Sequence, residues 1–180
     1  MADNTSELLR LGRTVDDFVL PTVRGGECAL YDLLDERRVF LVFYRGGWCP
    51  LCNLQLLELS SSYEEFEAAN LEILAISSEE VEKGRKVLNR LGPPYRLLQD
   101  LDGEITRRFG LTIDSRDLFS VLLRKRGFPH PGVILVGQDR TIQWSYRGKT
   151  YRDRPRASQL LRAARRNPVA RTSSSASAAT

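Results

Sequence analysis

The chain has 180 residues, 42% of them hydrophobic, and a formal net charge of +4. That is enough apolar material for one domain with a real core, and it excludes an intrinsically disordered chain. No apolar run approaches a membrane span, and Met1 to Arg10 lacks the apolar centre of a signal segment, so a soluble, cytoplasmic protein that binds no membrane is expected.

The charge is unevenly placed. From Arg147 onward nine Lys or Arg face a single acid, Asp153, so the body before that point is net acidic. No aromatic or helix-turn-helix pattern accompanies the basic end. It reads as a solvated helix face and tail rather than a nucleic-acid surface.

Residues 1–11 read as a flexible lead-in, 12–166 as one domain and 167–180, rich in Ser, Ala and Thr, as a disordered tail. Val15 to Pro21 reads as a short strand ended by proline. After an Arg24-Gly25-Gly26-Glu27 turn, Cys28 to Leu34 reads as a strand end entering a helical turn. Val39 to Tyr44 is apolar and β-rich without alternation, the pattern of a strand buried on both faces.

A long helix is expected after Cys49. Cys52, Leu56, Leu59, Tyr63 and Phe66 fall on one face at helical spacing, and Leu51, Leu54 and Leu57 widen that face. Leu71 to Ser77 is the next strand. Acids at Glu79 and Glu80 open a helix that runs to about Leu91 and stops at Gly92-Pro93-Pro94. A strand at Tyr95 to Leu98 and a small helix from Asp102-Gly103 to Phe109-Gly110 follow. Leu118 to Leu123 fits a helix or a strand, and Phe128-Pro129-His130-Pro131 breaks it. Gly132 to Val136 and Thr141 to Tyr146 make a hairpin, and Ser158 to Arg166 a terminal helix. Strands alternating with helices imply an α/β layer fold, and the late hairpin adds antiparallel strands.

The chemistry concentrates at Trp48-Cys49-Pro50-Leu51-Cys52. Pro50 marks the first helical position, which makes Cys49 the cap residue. A thiol there sits at the positive end of the helix dipole, among amides without helical partners, and both favour the thiolate. Cys52 belongs to the inward stripe. Cys49 is thus expected to be exposed and attacking, with Cys52 more covered and resolving. A four-ligand zinc site would need Cys28 and His130 as well as Cys49 and Cys52, with no second Cys-x-x-Cys, so no metal and no other cofactor is expected. Asp100-Leu101-Asp102-Gly103 has its glycine too early for a calcium loop. Cys28 reads as a buried small residue and His130 as a turn residue. Trp48 is a candidate shield for the thiols. Arg45 is a candidate cation for lowering a thiol pKa or holding a peroxide oxygen, although an Arg in such a loop is more often solvated.

From about Leu11 to Arg166 the chain resembles the peroxiredoxin-like branch of the alkyl hydroperoxide reductase/thiol-specific antioxidant family, within the thioredoxin-fold superfamily. The segments that carry the resemblance are Asp17 to Pro21, Phe43 to Asn53, Leu74 to Ser77, Asp100 to Gly103 with Phe109 to Leu111, and Pro129 to Val136. The resemblance implies a thioredoxin-like fold: a central mixed β-sheet flanked by helices, with an N-terminal extension and a C-terminal helix. It implies an antioxidant oxidoreductase that reduces a peroxide and is recycled by a thioredoxin- or glutathione-type donor, and it leaves room for a homodimer.

Two departures accompany it. In the family loop a Pro precedes a Thr or Ser by four places, and the peroxide-attacking Cys follows three later. Here those places hold Arg45, Cys49 and Cys52. The place of the family's later Arg holds Pro131, where thioredoxin-type oxidoreductases carry a cis-proline. Family spacing therefore nominates Cys52 for peroxide, and helix capping nominates Cys49 for attack on a disulfide. Which sulfur meets peroxide stays open. A Cys49–Cys52 disulfide closes the half-cycle either way. Two alternatives stand beside a peroxidase: a thioredoxin-like protein-disulfide reductase, and a redox-sensing module without turnover.

Overall fold

The computed structural model describes residues 7–113 and 128–167. The expected tail beyond Asn167 and the element expected at Leu118 to Leu123 lie outside the described residues.

Strands β1 (Val19–Pro21) and β2 (Glu27–Ala29) pair antiparallel and lead into the short helix α1 (Leu30–Leu34). Strand β3 (Arg38–Phe43) is buried at every position, as its unbroken apolar run requires. Helices α2 (Pro50–Ser61) and α3 (Tyr63–Ala68) lead to β4 (Leu71–Ser77), and α4 (Val81–Leu91) leads to β5 (Arg96–Gln99). Helix α5 (Glu104–Arg108), the hairpin β6 (Gly132–Val136) and β7 (Ile142–Arg147), and α6 (Ala157–Arg166) complete the order.

The five main strands lie in the order β5-β4-β3-β6-β7, with β3 parallel to β4 and antiparallel to β6. The sheet is mixed, as expected, because β6 and β7 are joined by a hairpin while β3, β4 and β5 need helical crossovers. Both faces are covered. Phe40, Val42 and Tyr44 point to one side, where they meet Leu56, Leu59, Phe66, Leu160 and Leu161. Val39, Leu41 and Phe43 point to the other, against Leu30, Leu34, Ile105 and Phe109. Leu9 packs on this second side, and the Leu9 carbonyl accepts the Ser145 hydroxyl.

The helix after Cys49 differs from expectation in two ways. Leu54 and Leu57, expected to widen its covered face, are 62% and 41% exposed, because they lie on the side of α2 turned away from the cluster that holds Leu56 and Leu59. The helix after Cys49 is broken at Ser62, whose φ of −106° and ψ of 8° leave the helical region. The apolar stripe still continues across the break, with Leu59 and Phe66 both fully buried. Periodicity therefore read as one helix what the backbone divides into two. Helix α4 ends as its sequence requires, on Gly92 in the left-handed conformation, donating to the Leu88 carbonyl.

The topology decides where the site can be. Phe43 at the end of β3 lies beside Gly132 at the start of β6, which lies beside Arg147 at the end of β7. Ile76 of β4 lies on the other side of Phe43. The segments after β3, β4 and β7 and before β6 therefore all emerge at one end of the sheet.

Phe40 sits at the centre of this arrangement, edge-on to Phe66 and Trp144 at 5.9 and 6.4 Å. Phe40→Ala is expected to destabilise the fold by about 3–5 kcal/mol in urea denaturation. Leu54→Ala, on the exposed side of α2, should shift it by no more than ~0.5 kcal/mol.

Candidate active site

Pro50 is the first residue of α2 and Cys49 its cap, with extended dihedrals of −89° and 111°. The local expectation from Cys-Pro is met. Cys49 is nevertheless buried, at 3% exposure, rather than exposed as expected. The cap position alone would leave it open; here it belongs to the apolar cluster of Val42, Tyr44 and Leu56, and Arg154, from the segment after β7, stands 3.8 Å from its sulfur. Cys52 is fully buried in the cluster formed by Phe40, Val42 and Tyr44. Neither sulfur is in a disulfide.

The pair shares one proton unequally. The Cys49 thiol is pulled down to about 5, first by a hydrogen bond from the Cys52 side chain, against the opposing effect of burial. The Cys52 backbone N–H and the charges of Arg154 and Arg45 lower it further. Cys52 is raised well above the ordinary thiol range by that same hydrogen bond and by burial. Arg154 Nη2 stands 3.2 Å from Cys52 Sγ and 3.8 Å from Cys49 Sγ. Its proximity alone would favour charge on Cys52. The deeper burial of Cys52 opposes this, because desolvation penalises the charged form most where water is most excluded. The less buried sulfur carries the charge.

The loop before Cys49 is clamped. The Gly47 N–H donates to Glu79 Oε2 at 2.6 Å, and the Gly47 carbonyl accepts from Asn53 Nδ2 at 3.0 Å and Arg90 Nη2 at 2.9 Å. Gly46 has a φ of 138°, and a Cβ there would lie 2.5 Å from the Glu79 carboxyl carbon. Only glycine fits both the angle and the space. Burial raises the Glu79 carboxyl, and the Gly47 N–H and the charges of Lys83 and Arg90 hold it back.

Arg45, read as more often a solvated loop charge, is buried at 3% exposure. Its guanidinium lies 4.9 Å from the Trp48 ring and 5.3 Å from that of Tyr151. Trp48 is 43% exposed and packs against Phe128 at 5.3 Å, so it forms the rim of the site. His130 contacts the Gly148 carbonyl through Nε2 at 2.6 Å. Burial lowers its pKa, and Arg147, Arg45 and Arg154 add to that, so the neutral ring donates this bond; it lies in the extended approach to β6 rather than in the turn expected of it. The expected cis-proline is not found: every peptide bond among the described residues, including His130–Pro131, is trans. Pro131 instead leads directly into β6, and its carbonyl accepts the Gly148 N–H.

Arg154 escaped the sequence reading. It lies in the basic end, which by composition alone is a solvated face, 102 residues from Cys52. The only sequence cue was the excess of Arg after Arg147, and no local spacing links it to the thiols. The return of the chain from β7 brings it over them, anchored by Nη1 on the Tyr151 carbonyl at 2.5 Å. Cys28 is buried among Val39, Leu41 and Phe43, on the opposite face of the sheet from Cys49 and Cys52, and burial raises its pKa. It cannot reach the pair. Among the described residues no three His, Cys, Asp or Glu side chains converge as metal ligands, and no helix is long and apolar enough to cross a membrane.

The electrostatics give a reactivity profile. Alkylation of Cys49 by iodoacetamide should hold steady between pH 7 and 9 and fall as pH drops through about 5, where the thiolate takes up its proton. Arg154→Gln should move that midpoint upward, because removing a positive charge favours the neutral thiol. Rates measured across pH with mass-spectrometric assignment check both.

Comparison with known proteins matches this arrangement to one family. The AhpC/TSA family model matches residues 11–145. A putative peroxiredoxin bcp from Helicobacter pylori is 32% identical over 96 residues, which cover 53% of this chain and 62% of that protein. Peroxiredoxin Bcp of Escherichia coli is 28% identical over 103 residues, covering 57% of this chain and 65% of that protein. The match thus spans under two thirds of these two curated relatives. The crystal structure of Peroxidoxin BcpB from Mycobacterium tuberculosis superposes with a TM-score of 0.74 at 24% identity, covering 88% of this chain and 98% of that one. With its mixed sheet, its flanking helices and its cysteine-capped helix, the chain belongs to the AhpC/TSA family and is a peroxiredoxin-like protein of thioredoxin fold.

Proposed function

We propose that the protein is a thiol-dependent peroxidase, an antioxidant oxidoreductase, in which Cys49 attacks the peroxide and Cys52 resolves. The observation that carries this reading is the placement of Arg154 against both sulfurs at 3.2 and 3.8 Å, with Cys49 held as the thiolate. The peroxiredoxin relatives support the reaction class.

The Cys49 thiolate attacks one peroxide oxygen and the O–O bond breaks. The sulfur is oxidised to a sulfenic acid, and the departing alkoxide takes up a proton and leaves as an alcohol, or as water from hydrogen peroxide. Arg154, and Arg45 behind it, stabilise negative charge as it passes from sulfur to oxygen. The Cys52 sulfur then attacks the sulfenic sulfur, an S–S bond forms, and hydroxide leaves as water with the Cys52 proton. Two electrons from a thioredoxin- or glutathione-type dithiol or thiol pair restore both thiols.

A protein-disulfide reductase remains the second reading, because Cys49-x-x-Cys52 at a helix start serves either reaction. Pro131 in the place of the family's Arg also motivates it, although the His130–Pro131 bond is trans and does not support the cis-proline part of that motive. A redox sensor would oxidise once without turnover.

Purified protein with dithiothreitol as reductant should consume hydrogen peroxide or cumene hydroperoxide catalytically. Cys52→Ser should still oxidise, accumulating a sulfenic acid that dimedone traps at Cys49. Cys49→Ser should lose peroxide consumption by ~100-fold or more, the scale of losing an activated nucleophile. Trapping at Cys52 in the Cys49→Ser protein would reverse the roles. Insulin reduction without peroxide consumption would establish the reductase in its place.

A further inference from the structure

Resting on the peroxidase reading, we propose that Asp153 is a positioning residue of the thiol site, whose carboxylate closes the turn after β7 and so sets the guanidinium of Arg154 over the two sulfurs.

The segment that carries Arg154 is anchored on both sides. Strand β7 ends at Arg147, and Gly148 is tied at both of its backbone groups to the approach to β6. Its N–H donates to the Pro131 carbonyl at 3.0 Å, and its carbonyl accepts His130 Nε2 at 2.6 Å. A Cβ on Gly148 would lie 2.5 Å from the Asp153 carbonyl oxygen and 2.9 Å from that of Thr150, so the turn folds back onto its own start. On the far side, at the start of α6, the Ala157 N–H donates to Glu58 Oε1 at 3.2 Å. Arg154 stands between these two anchors.

Asp153 closes the turn between them. Its Oδ2 accepts the Lys149 N–H at 3.0 Å, and its own N–H donates to the Thr150 carbonyl at 3.2 Å. Inside the same turn Thr150 Oγ1 accepts the Arg152 N–H at 3.2 Å. The Tyr146 hydroxyl, from β7, donates to the Asp153 carboxylate and lowers its pKa, and the Lys149 N–H adds to that. A side-chain oxygen thus takes the place of a backbone acceptor in holding the turn, as Asp side chains commonly do. Asp153 is the only acid from Arg147 to the end of the chain, and its bonds go to an amide and a hydroxyl. The guanidinium of Arg154 is left to the sulfurs.

Arg154 depends on that turn twice. Its backbone follows Asp153 directly, and Nη1 donates to the Tyr151 carbonyl, which lies within the turn. Opening the turn displaces both the origin of the side chain and the carbonyl that aims it. A long side chain holds a reacting position only when its origin and partners are fixed. Removing the Asp153 carboxylate then has two opposed effects on Cys49. Loss of a nearby negative charge favours the thiolate, and displacement of Arg154 favours the neutral thiol. The second is the larger, because Arg154 stands at the sulfurs while the Asp153 carboxylate faces Lys149 and Tyr146.

The test uses the full-length reduced protein and the pH dependence of Cys49 alkylation by iodoacetamide. In Asp153→Ala the midpoint is expected to move up, toward that of Arg154→Gln. Oxidation of Cys49 by hydrogen peroxide should slow about tenfold or more, the order of loss that a misplaced supporting group causes. Asp153→Asn removes the charge but keeps an oxygen acceptor, and should restore most of the wild-type profile. In an Arg154→Gln background Asp153→Ala should change neither reading further, because residues that act as a unit are non-additive. An unchanged or lowered midpoint in Asp153→Ala overturns the assignment, and so does a full additional loss on top of Arg154→Gln. Should Asp153→Ala fail to fold, Tyr146→Phe, which removes one hydroxyl, carries the test with the same expected direction. If peroxide leaves wild-type Cys49 unoxidised while Asp153→Ala still raises the alkylation midpoint, the peroxidase reading falls and the placement of Arg154 by Asp153 stands.

Discussion

The site depends on keeping a negative sulfur inside an apolar cluster. A thiolate surrounded by the side chains of Phe40, Val42 and Leu56 would take up a proton if nothing opposed it. Three kinds of donor oppose it: the Cys52 thiol, the Cys52 backbone N–H, and the charges of Arg154 and Arg45. The first two come with the helix, because a cap residue faces the free amides of the first turn. The cations are supplied by the loop before α2 and by the segment between β7 and α6. They add to the lowering by the Cys52 thiol, which is the largest contribution, and by the Cys52 amide.

This dependence accounts for the rigidity around the pair. Gly46 leaves room for the Glu79 carboxylate, which fixes the Gly47 amide, Gly47 leaves room for the Val87 side chain, and Asn53 and Arg90 fix the Gly47 carbonyl. The loop is thereby tied to α2 and α4, and also to Glu79, which follows β4. A buried charge pair performs only when its geometry is maintained, and such ties maintain it. Arg38 does similar work at the far end of the sheet, where its guanidinium donates to the carbonyls of Ala164 and Asn167 and holds the end of α6. Helix α6 in turn follows the segment that carries Arg154.

Relative to the family loop, the chain has exchanged parts. Cys49 stands where the family has Thr or Ser, and Pro131 where it has Arg. The structure supplies a guanidinium to the sulfurs all the same, from Arg154, a residue in a different segment. The function of a position is set by where its side chain ends, and two segments leaving the same end of a sheet can both reach the same point. A second buried guanidinium, at Arg45 where the family has Pro, adds its charge to that of Arg154 in lowering the Cys49 thiol.

The sequence by itself determined the layer fold, the buried strand before the cysteines, the hairpin and the cap role of Cys49, since each rests on local patterning, on proline at the first helical position or on turn chemistry. Cys28 was legible as a buried small residue for the same reason. The break at Ser62 was not legible, because an apolar stripe can continue across a kink while both helices face the same core. Tertiary structure alone decided the burial of Cys49, the trans bond at Pro131, the burial of Arg45 between two rings and the reach of Arg154 to the sulfurs. Each of these depends on segments far apart in the chain that meet only because β3, β6 and β7 place their ends together. Periodicity reports which face of an element is apolar; it carries no information about which distant side chain will cover it.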